Sequence, residues 1–315
     1  MRRHSLLTFA GAAGSFALLS AALVPLTMAS PAMGNATSGS FTQPVPTNPV
    51  LHSQSAALAR STVPDAPVVT TEFGTAIYRA RSTDPLCNVT FTQNWGTPWT
   101  ESIRVPANAK PTGANSSDPW NDHWLSIRYN GYQYDLWIFD HWDGTLCTNG
   151  EQLAHWGGKF AFPGALLDAV PGGGGGGAGI SVAAGTPRRH EILNDTIDHA
   201  LSLAVENESP LFKYPAWKSD GDCLGGIPKC VKAGQRFYLA VSDAEVEAIA
   251  DPYQRAIARA LQQYGMFVTD QTHGVNFPLE QRSSDLLANY TRLTQIPWGS
   301  LRALKCADGT AECVE

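Results

Sequence analysis

A mainly β fold, a two-sheet sandwich of jelly-roll type with one or two helices in its C-terminal half, is what this chain predicts, and three observations predict it. Short β-branched and aromatic runs separated by Gly, Pro and Asn fill the region from Pro67 to Val105. The stretch Asp122 to Ile138, DHWLSIRYNGYQYDLWI, places Asn130-Gly131 between two alternating runs, the strongest short-range sign of a two-residue hairpin. Capped helical patterns occur only late, between Ser242 and Gly265.

Taken in chain order, residues 1–32 have a basic start, an apolar middle and small residues near Ala29 and Ala32, the pattern of an export signal. Arg2-Arg3 followed by His-Ser-Leu-Leu resembles a twin-arginine signal, so Sec or twin-arginine export to the outside of the cell is expected. Residues 33–67 are rich in Ser, Thr, Pro and Ala without periodicity and read as a linker. Residues 68–315 then form a single β-sandwich domain.

Within it, APVVTTEF, TAIYRA, CNVTFTQNW and ESIRVP are strands. The hairpin pairs Tyr129 with Tyr132, and period-two alternation puts Leu125, Ile127, Tyr134, Leu136 and Ile138 on the core face. Its other face collects Asp122, Trp124, Ser126, Arg128, Gln133, Asp135 and Trp137, the floor of a polar cleft. DHWDGTLCTNGEQLAHWGG continues as turn, strand and turn. The Gly-rich loop 171–179 is expected to be a mobile surface loop, and nothing around it has the context of a phosphate loop. A short helix or turn at Arg188–Leu193 and a strand around His199–Val205 follow. Ser242 and Glu245 form a capping box, and Asp251-Pro252 opens a helix stopped by Gly265, with Tyr253, Ile257, Leu261 and Tyr264 on one apolar stripe.

The formal net charge of −6 and the absence of Lys/Arg runs argue against nucleic acid and anionic membranes as partners, and a monomer is expected. Only 16% of residues are charged while tryptophans number nine, a balance suited to an extracellular carbohydrate ligand, although indoles also fill cores. Six cysteines in an exported chain imply disulfides, and the most local connectivity is Cys87–Cys147, Cys223–Cys230 and Cys306–Cys313. No C-x-x-C occurs and no cofactor is implied.

Three chemistries compete. Asp122 and Asp135 on one face are the minimum machinery of glycoside hydrolysis, with Trp124 and Trp137 stacking on sugar. The plainer alternative has Asp122 capping a loop and Asp135 paired with Arg128. A polysaccharide lyase needs an Arg, Asn or Gln against a uronate carboxylate and a His or Tyr base, and Arg128, Gln133, Arg188, Arg189, His190, His199 and Tyr214 supply those types. Alternation places His123 and His199 with core residues, so a structural role competes for each. The third reading is a non-catalytic carbohydrate-binding or wall-associated protein. The one-face clustering favours the hydrolase, with Trp124, Arg128, Gln133, Trp137, His199 and Tyr214 binding substrate. Asp140, His141, Asp143, Asp220 and Asp222 have the oxygens of a calcium loop but no EF-hand spacing, and solvated turns are the expectation. No Gly-x-Ser-x-Gly elbow is present.

Several of these residues lie in motifs whose order and spacing run from Asp122 to Asp270: Asp122-His123, Tyr134-Asp135-Leu136, Ile197-x-His199-Ala200-Leu201, Tyr214-Pro215-Ala216, Gly234-x-Arg236-Phe237-x-Leu239 and Ala260-Leu261-x-x-Tyr264-Gly265-Met266 ending at Asp270. In these the chain resembles a family of uncharacterised exported bacterial β-sandwich proteins. The resemblance implies a β-sandwich and a set of special positions, and brings no activity with it. The chain departs from the pattern in having Asp135 where Glu is expected and Trp217-Lys218 where a histidine should follow Pro-Ala. The Gly-rich insert also replaces an apolar Gly-Leu-Pro segment.

Overall fold

Strand β1 (Val68–Arg79) serves two halves of one sheet. Its first residues run parallel to β12 (Val275–Glu280), Val68 opposite Asn276, and its last run parallel to β4 (Leu125–Tyr129), Ala76 opposite Leu125. Gly74 marks the handover, because a Cβ there would overlap the Leu279 carbonyl oxygen. The structure, a computed structural model, describes residues 39–93, 98–113, 124–140, 147, 151–162, 174–311 and 313.

Beyond β12 lie β7 (Leu201–Val205), β11 (Met266–Gln271), β10 (Arg236–Leu239) and β13 (Leu301–Ala303). Beyond β4 lie β5 (Tyr132–Asp140), β6 (Glu151–Ala161), β2 (Leu86–Phe91) and β3 (Trp99–Arg104), completing an eleven-stranded sheet. A second sheet has two strands, β8 (Glu208–Phe212) and β9 (Val231–Ala233). The architecture is mainly β with two sheets and a few helices late in the chain. It departs from an antiparallel jelly roll, since β1–β12, β1–β4, β7–β11, β2–β6 and β8–β9 all run parallel. Runs of apolar and β-branched residues predict strands, whereas pairing direction depends on the crossovers between them.

The hairpin has the expected register: Leu125 faces Leu136, Ser126 faces Asp135, Arg128 faces Gln133 and Tyr129 faces Tyr132. Asn130 and Gly131 both take positive φ, 50° and 78°, as a primed turn requires. Leu125, Ile127, Tyr134 and Leu136 join Phe91 and Ile103 in one core cluster. Ile138 does not. It adopts φ 47°, which breaks the alternation, and Phe139 takes the core place instead. The expected turn at Gly157-Gly158 is also corrected, since both lie inside β6, where a Cβ on Gly157 would overlap the Phe91 ring.

A second cluster packs helix α4 (Pro252–Gln263) on β7, β10 and β11, with Ile257 and Leu261 against Phe237 and Val268. Asp251 caps α4 by accepting from the Tyr253 and Gln254 N–H groups, and Gly265 follows at φ 73°. The Ser242–Glu245 capping box forms at α3 (Asp243–Glu247). Tyr264 leaves the stripe to join a third cluster around Phe41 and Phe267.

Two segments expected to be loose are built in. From residue 39 onward the proposed linker belongs to the folded unit: Phe41 is 1% exposed, and α1 (Ser55–Thr62) buries Leu58 and Ala59. A few well-spaced apolar residues anchor it despite its polar composition. The Gly-rich segment, described from Gly174, is buried throughout to Ile180. The Ala178 N–H donates to the Thr269 carbonyl at 2.9 Å, Lys218 Nζ to the Gly176 carbonyl at 3.0 Å and Trp217 Nε1 to the Gly179 carbonyl at 2.6 Å. A Cβ on Gly177 would overlap the Asp220 carboxylate, so the glycines permit close approach here in place of mobility.

The disulfides are Cys87–Cys147, Cys223–Cys230 and Cys306–Cys313. Among the described residues no helix is long and apolar enough to cross a membrane.

Candidate functional site

The polar face of the hairpin is layered in rows. Arg128 and Gln133 form one, opposite Phe160 of β6; Ser126 and Asp135, opposite Gly158, form the next. Beyond them the indoles of Trp124, Trp137 and Trp156 make an aromatic ladder, with ring centroids 5.9 Å and then 4.8 Å apart. Gly158 adds no side chain to the middle row, and the segment at Ser181 closes over it. Asp135 therefore has no exposed surface. Its Oδ1 accepts from Ser126 Oγ at 2.6 Å and Gln133 Nε2 at 2.7 Å, and its Oδ2 accepts from Ser181 Oγ at 2.7 Å. Burial pushes this carboxyl up from its ordinary value, and the three donors with the Val182 N–H act against that. The carboxylate is enclosed, so it cannot meet a sugar in this arrangement, and it bonds neither to Arg128 nor to solvent. Asp122 and His123 lie outside the described residues.

The first row opens into a cleft of about 280 Å³. Arg128, Gln133 and Phe162 line it from the hairpin side, and Ser181, Arg188, His190, Glu191, Asp198 and His199 line it from α2 (Arg189–Asn194) and the flanking chain, with Phe41 and Thr42 at one edge. Five of the residue types expected for uronate chemistry, Arg128, Gln133, Arg188, His190 and His199, thus converge. Arg189 does not: it turns outward to Asp285, Nη2 to Oδ2 at 2.5 Å. Tyr214 does not line the cleft; it packs against the Phe41 and Phe267 cluster, its hydroxyl accepting from Ser40 Oγ at 3.0 Å. Trp124 and Trp137 are on the same sheet face but beyond the closed middle row.

Charge in the cleft is organised by Glu191. This residue caps α2, accepting from the Arg188 N–H at 2.8 Å, and also takes Arg188 Nη1 at 2.6 Å and faces His199 Nε2 at 3.3 Å. Burial alone would raise its carboxyl, but His199 and Arg188 outweigh it and hold Glu191 at about 2. His199 is 4% exposed, and its Nδ1 donates to the Ala200 carbonyl at 2.8 Å, so both ring nitrogens face acceptors. Arg188 and His199 thereby share one carboxylate partner.

Arg128 has none. Its Nε donates to Gln133 Oε1 at 2.8 Å, its guanidinium lies 4.1 Å from the Phe162 ring centroid, and Nη2 finds no partner among the described residues. Among the described residues no carboxylate pairs with it.

Ser181 and Glu191 are residues of the cleft that sequence reasoning missed. Glu191 carried a signal, since it stands three residues after Arg188 at the start of a short helix; Ser181 carried none. Asp140 has no described side chain, and His141 and Asp143 lie outside the described residues. Of the other calcium candidates, Asp220 packs on Gly177 and Asp222 accepts from Gln271 Nε2 at 2.5 Å.

Fold and site define a mixed-sheet β protein with an arginine-lined cleft on its polar face. Comparison with models of known families, with curated proteins and with solved structures finds no match to this chain.

Proposed function

We propose that the protein is a polysaccharide lyase acting outside the cell on a uronate-bearing glycan. The observation that carries this reading is Arg128, a half-buried guanidinium in the cleft wall with no carboxylate partner among the described residues. A ligand carboxylate supplies the missing counter-ion, and neutralising it acidifies the adjacent C5–H. His190, exposed on the cleft rim, takes that proton as the base. The C5 electron pair forms the C4=C5 double bond, the C4–O4 bond breaks, and the proton passes to the departing O4. The indole ladder lies beyond the closed middle row with Trp124 buried, and its half-buried Trp137 and Trp156 support the non-catalytic binding reading.

The test incubates the oxidised protein with uronate polymers and neutral glycans, reading reducing ends and unsaturated-product absorbance together. Both signals on a uronate polymer support the lyase. Arg128→Met should then reduce turnover about a hundredfold or more, in line with loss of one partner of a desolvated charge pair. Reducing ends without absorbance would return the assignment to a hydrolase, and silence from folded protein would favour a binding module.

A further inference from the structure

The enclosed carboxylate has a role that the cleft itself suggests. Asp135, Gln133, Ser126 and Ser181 are each no more than 2% exposed, so the bonds among them exchange little with water. They form a string with a direction. The Asp135 Oδ1 that accepts from Ser126 also accepts from Gln133, so Gln133 turns its Nε2 toward Asp135, at 2.7 Å. That leaves Oε1 on the other side, where it accepts from Arg128 Nε at 2.8 Å. We propose that Asp135 is a positioning residue: it sets the polarity of the Gln133 amide and so orients the Arg128 guanidinium that receives the ligand's carboxylate. The inference rests on the reading of Arg128 as the anion-binding group.

An asparagine at 135 tests the polarity without changing the shape. Ser181 and the Val182 N–H approach from one stretch of chain, and a backbone N–H cannot accept. The asparagine oxygen is therefore held on that side and its NH2 is turned toward Ser126 and Gln133. The Ser126 hydroxyl can reverse to accept. Gln133 can accept only by flipping, which brings its own NH2 against Arg128 Nε–H, two donors face to face. Adding Gln133→Glu restores the string, because the new carboxylate accepts from both neighbours.

The experiment measures hydrogen exchange of the Arg128 Nε–H by NMR of 15N-arginine-labelled protein, with Arg128→Lys identifying the signal, alongside binding of oligogalacturonate as the probe. Asp135→Asn should speed this exchange about tenfold, the factor one such hydrogen bond is worth, and weaken probe binding. The Asp135→Asn, Gln133→Glu pair should restore slow exchange yet not binding, since Arg128 then has a counter-ion within the protein. Unchanged exchange in folded Asp135→Asn overturns the proposal. Should that variant not fold, Gln133→Met removes the link directly, and unchanged exchange there overturns it equally. Exchange that responds as stated while the wild type binds no oligogalacturonate keeps the positioning role and sinks the uronate reading alone.

Discussion

Arg128 and Arg236 are the same side chain in opposite circumstances. Arg236 is fully buried, and its guanidinium donates to the carbonyls of Tyr264, Ala307 and Gln43 at 2.5–3.0 Å. One group thereby ties the end of α4, the C-terminal segment and the N-terminal segment together. Burial pulls its pKa down to about 10, with Asp308 acting against that, so it stays charged at neutral pH. Arg128 is held on one edge by Gln133 and on one face by Phe162, with the rest uncommitted. Where the donors meet fixed acceptors, an arginine stabilises the fold; where donors are left over beside a cleft, it can serve a ligand, the role we propose for Arg128.

Substitutions at arginines and their partners should separate these roles. The largest effect is expected from Arg236→Met, which strands three carbonyls at a buried junction and should cost about 3–5 kcal/mol in urea unfolding, against less than about 1 kcal/mol for Arg128→Met. Equal losses from the two would break the contrast.

Arg188 sharpens it from between, because its charge is already met by Glu191. Glu191 is held at about 2 against an ordinary value of 4.5, so its stabilisation is complete above 4.5 and lost as pH falls through 2. The shift corresponds to about 3 kcal/mol. Wild type should therefore lose its advantage over Glu191→Gln between about pH 5 and pH 2, as followed by unfolding curves across that range. An advantage independent of pH would mean that Glu191 acts by shape and not by charge.

The smallest effect belongs to Arg189. Its pair with Asp285 is exposed on both sides, and Arg189→Ala should leave the melting temperature unmoved. A clear drop would show that surface geometry counts for more here than solvent screening allows.

Local rules were legible to different depths in different places. The Asn130-Gly131 turn gave the hairpin register residue by residue, because turn geometry and the period of two are properties of neighbouring residues. The caps at Ser242 and Asp251 were readable for the same reason, and so were the two cystines whose cysteines stand seven positions apart. The reading failed where a distant partner decides. Phe41 looks like an isolated aromatic in a polar linker until Phe267 lies 4.9 Å from it. The glycines from Gly174 onward look loose until Trp217, Lys218 and Asp220 close on them. Asp135 shares its polar face with Arg128, as alternation requires, but only Ser181, 46 residues away in the chain, shows that its row is sealed.

By itself the sequence determined the strand content, the hairpin with its two faces and the capped helices, all set by interactions a few residues long. Tertiary structure decided the parallel pairings, the burial of Asp135 and the meeting of Arg128 with α2 in one cleft. Those outcomes depend on which segments cover one another, and burial, hydrogen-bond partners and charge balance are set by such distant neighbours.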